Sequence, residues 1–425
     1  MNKNKTNWVA VGTMIFLFGM ISFVTNLAAP IGVIWKQAPG IEGSNVWGMM
    51  GNMMNFLAYL FMGIPAGKLI TKVGYKKTTL IGVAVGFSGV LVQFLSGKIG
   101  VGATLAGLPA NFFVYLLGAF ICGFSVCILN TVVNPMLTLL GGGGNRGNQL
   151  VQIGGTFNSL VGTVTPMLVG ALIGSVTAET QIADVNTVLF IAMGVFALTY
   201  LILTFVPFVE PEQETSDATI KGLLKYKHLV YGVIAIFLYV GVEIGIPGTL
   251  NFYLTDTLGT ANAATTAGFV AGTYWFLMLV GRFVSSLISG KISSRMQLSV
   301  TCAVAIVLVI AAMFSTEVAA SMPVFTGSGF GMAQVPLSAL LLVCCGLCTS
   351  VMWGTIFNLS VEGLGKNAAL ASGLFMTMVV GGGVLPLVQN AIADAVSYMA
   401  SYWVIVAALA YMLWFALFGS KVKKA

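Results

Sequence analysis

GKLITKVGYKK, residues 67–77, returns in outline as GKISSRM, residues 290–296. Both copies run glycine, lysine, an aliphatic residue, two variable positions, a cation and an apolar residue. Each follows a long apolar run, and the two stand about half a chain apart. Arg146 and Lys366 repeat at nearly the same offset. Polar punctuation that recurs once points to two similar halves, and the stretches between the punctuation say what the halves are made of.

Those stretches are apolar. The chain is 58% hydrophobic and 7% charged, with mean hydropathy +0.97, whereas a soluble domain carries about 25% charge. Runs able to cross a hydrocarbon core of about 30 Å at about 1.5 Å per residue lie at 8–35, 47–70, 78–97, 112–139, 150–174 and 187–209. Six more follow at 229–253, 263–290, 298–320, 335–358, 369–390 and 399–419. The runs are continuous and lack the dyad alternation of a β-barrel strand. The expected fold is an all-α membrane protein of twelve transmembrane helices in two six-helix pseudo-symmetric halves. Residues 1–209 form one bundle, 210–228 a cytoplasmic linker and 229–425 the other. The linker is acidic first, and its end, IKGLLKYKH, suits a short surface helix.

Charge placement sets the orientation. With both termini cytoplasmic, all but Lys36 and Lys98 of the nineteen lysines and arginines fall on the inside, as the positive-inside rule requires. The net charge of +7 is thus spent on short loops and carries no implication of nucleic acid. The first apolar run is too long for the core of a cleavable signal. Six cysteines lie inside apolar stretches without metal-ligand company, the chain's one histidine being His228, at the expected membrane edge. No metal or other cofactor is expected. The glycine runs at 141–144 and 381–383 lack the Lys-Ser/Thr of a phosphate loop and suit close helix packing.

GKLITKVGYKK is similar to the loop 2–3 signature of the major facilitator superfamily, with Thr71 where the family usually has an acid. Four further stretches narrow the resemblance: FLYVGVEIGIPGTLNFYL (237–254), NTVVNPMLTLLG (130–141), GGTFNSLVGTVTP (154–166), and the 355–394 stretch that opens TIFNLSVEGLGKNAAL. Together they resemble the fucose–galactose–glucose:proton symporter family along most of the chain. That resemblance implies the twelve-helix alternating-access fold and transport of a monosaccharide, usually coupled to an ion. It also marks a departure. The aspartate and glutamate that fucose-type members carry in the first and fourth spans fall near Ala29 and at Asn130, where no proton can be held. The resemblance to the glucose/galactose branch places a glutamate at Glu243.

Glu243 is the one carboxylate in the middle of an apolar span; its nearest acids are Asp217 and Asp256. A carboxylate at mid-membrane costs about 2.5–3.5 kcal/mol on insertion scales, so it must have a partner or a task. Tyr239, Glu243, Pro247 and Asn251 fall at i, i+4, i+8 and i+12 and share a stripe. Gly245, Pro247 and Gly248 favour a broken helix there. Glu243 either ties spans together or meets substrate and exchanges a proton or sodium ion. The other interior polar groups are mostly amides, whose paired donors and acceptors suit sugar hydroxyls without a charge to desolvate. Asn26, Asn130, Asn134, Gln152, Asn158, Glu243, Asn251 and Asn358, with the aromatic faces of Tyr274 and Trp353, form the candidate substrate set. Gly67, Lys72, Gly74, Arg282 and Arg295 form a candidate cytoplasmic gate.

The expected function is a secondary active importer of a hexose or deoxyhexose, coupled to a proton or sodium. It would work as a monomer in a bacterial inner membrane and bind no nucleic acid. A uniporter or a carrier of another neutral solute is the alternative. A membrane enzyme would need clustered nucleophiles, acids or metal ligands, which the apolar spans do not offer.

Overall fold

The computed structural model describes residues 8–140, 144–174, 176–177, 179–205, 220–260, 262–288, 292–325, 329–364 and 368–422. Among the described residues, twelve helices are long and apolar enough to cross a membrane. The first six are α1 (Trp8–Trp35), α2 (Asn45–Ile70), α3 (Lys72–Leu95), α4 (Ala110–Leu137), α5 (Ile153–Ile173) and α6 (Ile182–Phe205). The last six are α7 (Lys227–Thr257), α8 (Ala263–Ser285), α9 (Ser294–Met313), α10 (Leu337–Val361), α11 (Gly373–Ala395) and α12 (Tyr398–Gly419). The number of spans is as expected. Residues 206–219 lie outside the described residues, and with them the first ten residues of the expected linker. Of its basic end, Ile220–Leu223 forms one helical turn.

Within the first six helices, α1 packs on α4 and α5, and α4 on α2 and α3. Within the last six, α7 packs on α8, α10, α11 and α12, and α9 on α10 and α12. The two sets meet where α5 lies along α8, α2 along α11 and α1 along α7. Glycine makes two of these approaches possible. A Cβ at Gly381 would strike the Phe237 backbone of α7, and one at Gly383 would meet the Phe56 Cβ and then the Met53 backbone of α2. The packing expected of residues 381–383 is therefore present. Near the start of α3 the chain kinks at Gly74, whose φ of 85° suits a residue without a Cβ.

Among the described residues, two antiparallel hairpins interrupt the helical pattern. β1 (Thr104–Leu105) and β2 (Leu108–Pro109) pair in the α3–α4 loop, β3 (Ala319–Phe325) and β4 (Phe330–Pro336) in the α9–α10 loop. The two loops hold equivalent places in the two sets of six.

One local expectation is corrected. α7 is an unbroken helix through Pro247, with helical residues from Lys227 to Thr257. Its small residues are gripped by neighbours: Gly241 by Leu385, Gly245 by Gln389 and Gly248 by Met49. That packing holds the turn that proline's missing N–H would otherwise loosen. The interruptions fall instead in α10, between Thr349 and Met352, and in α11, between Met378 and Gly381.

Candidate transport site

The ends of α1, α7 and α11 and the starts of α2, α8 and α12 gather at one end of the bundle, the distal end, opposite the start of α1 and the end of α12. A polar latch joins the two sets of six there. Lys36 Nζ donates to Asp256 Oδ2 at 2.6 Å and to the Tyr398 hydroxyl at 3.0 Å. Tyr398 shares its own proton between Asp256 and Asn45 Oδ1. Asp394 of α11 then accepts from Ser44 Oγ (2.9 Å), Asn45 N (2.8 Å) and Val46 N (3.0 Å). A carboxylate from one half thus caps the N-terminus of a helix in the other, where free N–H groups and the helix dipole favour an anion. Lys36 is 1% exposed and lies over the Phe252 ring, 4.8 Å from its centroid. Burial lowers its pKa below the ordinary 10.5, and the charge and hydrogen bond of Asp256, then the charge of Asp394, oppose that.

Further in, a small cavity of about 20 Å³ sits where the halves meet. Asn26, Asn52, Pro166, Pro247, Asn251 and Trp275 are among its walls. Asn52 reaches across to the Gly382 carbonyl at 2.8 Å. Asn26 turns back on its own helix, to the Ser22 carbonyl (2.9 Å) and hydroxyl (3.2 Å). A space this size holds no more than about one water, so a hexose would require the walls to part.

Glu243 lies one turn nearer the termini than Pro247. Its Oε1 accepts the Tyr239 hydroxyl at 2.7 Å and stands 3.7 Å from Arg282 Nη2. The expected stripe of Tyr239, Glu243, Pro247 and Asn251 is therefore real, and it runs from the acid to the cavity. The interruption in α10 feeds this cluster: Tyr239 also approaches the Thr349 carbonyl (3.3 Å), and Tyr274 pairs with the Thr349 hydroxyl at 2.9 Å. The Trp353 ring meets Tyr239 edge-on at 6.2 Å. Arg282, grouped on sequence with the gate, stands at this acid. Its Nη1 donates to the Gly155 carbonyl (2.6 Å) and to Ser159 Oγ (2.9 Å) on α5.

The remaining candidates scatter. Asn130 donates to the Tyr59 hydroxyl at 2.7 Å, and Asn134 to the Asn130 carbonyl at 3.3 Å. Asn158 ties α5 to α1 through the Phe18 carbonyl at 2.9 Å. Asn358 is exposed on α10 and does not line the cavity. The Gln152 side chain lies outside the described residues, as does that of Arg146. Of the gate candidates, Lys72 is exposed, no atom closes on Gly67, and Arg295 bonds Ser420 Oγ at 3.3 Å within its own half. His228 bonds the Glu362 carbonyl at 3.0 Å. Sequence reasoning missed Lys36, Asp256, Asp394 and Tyr398 as a set, while Asn52 and Trp275, an interior amide and an aromatic face outside the candidate substrate set, line the cavity.

A profile of the Major Facilitator Superfamily matches residues 9–385. The chain belongs to that superfamily. It is a transporter of this class and not an enzyme. A glucose/galactose transporter of Brucella abortus biovar 1 is 30% identical over 428 residues, covering 99% of this chain and 96% of that protein. The L-fucose-proton symporter of Escherichia coli K12 is 23% identical over 368 residues, 80% of this chain and 77% of that protein. The crystal structure of a D-xylose-proton symporter has the same fold, with a TM-score of 0.72 at 15% identity over 98% of both chains. The resemblance carried by residues 130–141, 154–166, 237–254 and 355–394 agrees with these relatives.

Proposed function

We propose that this superfamily member is a secondary active transporter that carries a monosaccharide by alternating access, driven by a proton or sodium gradient. The observation that carries the reading is the position of Glu243. A carboxylate at the middle of the 31-residue α7 is held between Tyr239 and Arg282, one turn from an amide-walled cavity between the halves. Similarity to a glucose/galactose transporter and to an L-fucose-proton symporter supports the sugar as cargo. Amides at Asn26, Asn52 and Asn251 supply neutral donors and acceptors for hydroxyls, and Trp275 a flat face for a sugar's C–H side. Residues 1–209 rock against 229–425, and the chain acts as a monomer in a bacterial inner membrane. With the termini cytoplasmic, the latched distal end faces outward, so this is a form closed to the outside.

The test is uptake of labelled D-glucose and D-galactose by the purified chain in proteoliposomes. Accumulation above equilibrium under an imposed proton or sodium gradient is the expected result, and the effective gradient names the ion. Equilibration without accumulation under either gradient would leave a uniporter. No uptake of either sugar, with uptake of another neutral solute, would make the chain a carrier of that solute and overturn the sugar reading.

A further inference from the structure

Arg282 serves two sets of acceptors with one guanidinium. On α5, in the opposite half, it makes short bonds to the Gly155 carbonyl and Ser159 Oγ, 2.6 and 2.9 Å. On α7, in its own half, it stands 3.7 Å from Glu243, longer than a charge-assisted hydrogen bond. The approach to α5 is built in. Ser159 is fully buried, and at Gly155 the nearest atom that a Cβ would meet is Arg282 Nη1, 3.4 Å away. Among the described residues, the titratable groups around Glu243 are Tyr239 on its own helix and Arg282 and Tyr274 on α8. The thiols of Cys345 and Cys348 on α10 lie beyond Tyr274. Arg282 is the cation of this set.

We propose that Arg282 is the positioning residue through which the protonation state of Glu243 sets the grip of α8 on α5. The inference rests on the reading of Glu243 as the coupling carboxylate. An ionised Glu243 attracts the guanidinium strongly where water is scarce and draws it off Gly155 and Ser159. A protonated Glu243 has no net charge to pull with, and Arg282 stays on α5. The proton arrives from one aqueous side, resides on the carboxylate, and leaves to the other side. No bond other than O–H is made or broken. Arg282 thus converts a local charge change into a change in the contact between halves.

Linkage makes the idea measurable. If the charge on Glu243 alters the α5 contact, then altering the α5 contact must move the titration of Glu243. The readout is the protonated-carboxyl infrared band of the full-length chain in liposomes, followed against pH, with Glu243→Gln as the blank. Ser159→Ala removes one competing acceptor and frees the guanidinium for the carboxylate, so the midpoint moves to lower pH. Arg282→Gln removes the counter-ion, so the midpoint moves to higher pH, by about one unit. A role in packing alone would not give displacements of opposite sign. A midpoint that stays put in Ser159→Ala, or moves alkaline, overturns the proposal even if Arg282→Gln fails to fold. The coupling reading has its own separate test: it falls if Glu243→Gln still accumulates sugar against a gradient.

Discussion

Lys36 Nζ lies 2.6 Å from Asp256 Oδ2, joining α1 to α7 across the boundary between the halves, although the two residues are 220 positions apart. The partners are unequal: the lysine side chain is 1% exposed and the aspartate 33%. Removing either one therefore has a different consequence.

Asp256→Asn leaves a buried ammonium without its anion and should open the latch. Lys36→Met removes the charge and keeps the volume, and should be mild. Amide hydrogen exchange over residues 44–47 and 253–258 is expected to quicken about tenfold in the first variant and less than about threefold in the second. Equal effects would mean that the ion pair does not hold the distal end.

Alkaline pH should tighten the same latch. Burial depresses the Lys36 pKa in the latched form, against the opposing pull of Asp256 and Asp394. In a form where Lys36 is hydrated its pKa returns to about 10.5. Between those two values the open form binds more protons, so raising pH through the window favours the latched form. Distal exchange, corrected for its intrinsic pH dependence, should slow as pH is raised towards about 10.5.

Glu243→Gln keeps the size of the side chain and its contact with Tyr239 but carries no titratable proton. The expected result is loss of uphill accumulation, to an inside-to-outside ratio of about one, with counterflow exchange partly retained. The paired measurement is gradient-driven uptake against exchange in proteoliposomes.

Two glycines in one run should respond differently. Gly381 abuts the Phe237 backbone inside the second set of helices, so Gly381→Ala overpacks that set at a cost of about 1–3 kcal/mol. Its thermal unfolding in detergent should begin at lower temperature. Gly383 abuts the Met53 backbone of the first set. Gly383→Ala should leave thermal unfolding nearly unchanged and raise distal hydrogen exchange, because it holds the halves apart without disturbing either.

Trp275 walls the central cavity and packs edge-on against Tyr274, ring centroids 5.6 Å apart. Trp275→Ala should raise the KM for sugar about tenfold, equivalent to about 1.4 kcal/mol, and Trp275→Phe should recover most of it. An unchanged KM in the alanine variant would remove Trp275 from the sugar site.

The helices were legible because an apolar run of about 20 residues has one low-energy form in a bilayer. Glu243 was legible because a lone acid in such a run is costly. The latch was not: Lys36, Asp256 and Asp394 look like ordinary charges near helix ends, and nothing local shows that they face one another. Arg282 looked like an end-of-helix cation, yet the pairing of α8 with α5 and α7 sets its head against Glu243. The proline in α7 marked a weak point, but the grip of Leu385, Gln389 and Met49 on neighbouring glycines keeps that helix whole. β3 escaped notice because AASMPVF continues the apolar tone of α9.

The narrowness of the central cavity has a consequence for the economy of the cell. A carrier must swing back after unloading, and a roomy empty chamber would ferry solvent and stray ions on every return. With a cavity of only about 20 Å³ at its centre in this form, there is room for about one water, so halves rocking through it would carry almost no solvent between them.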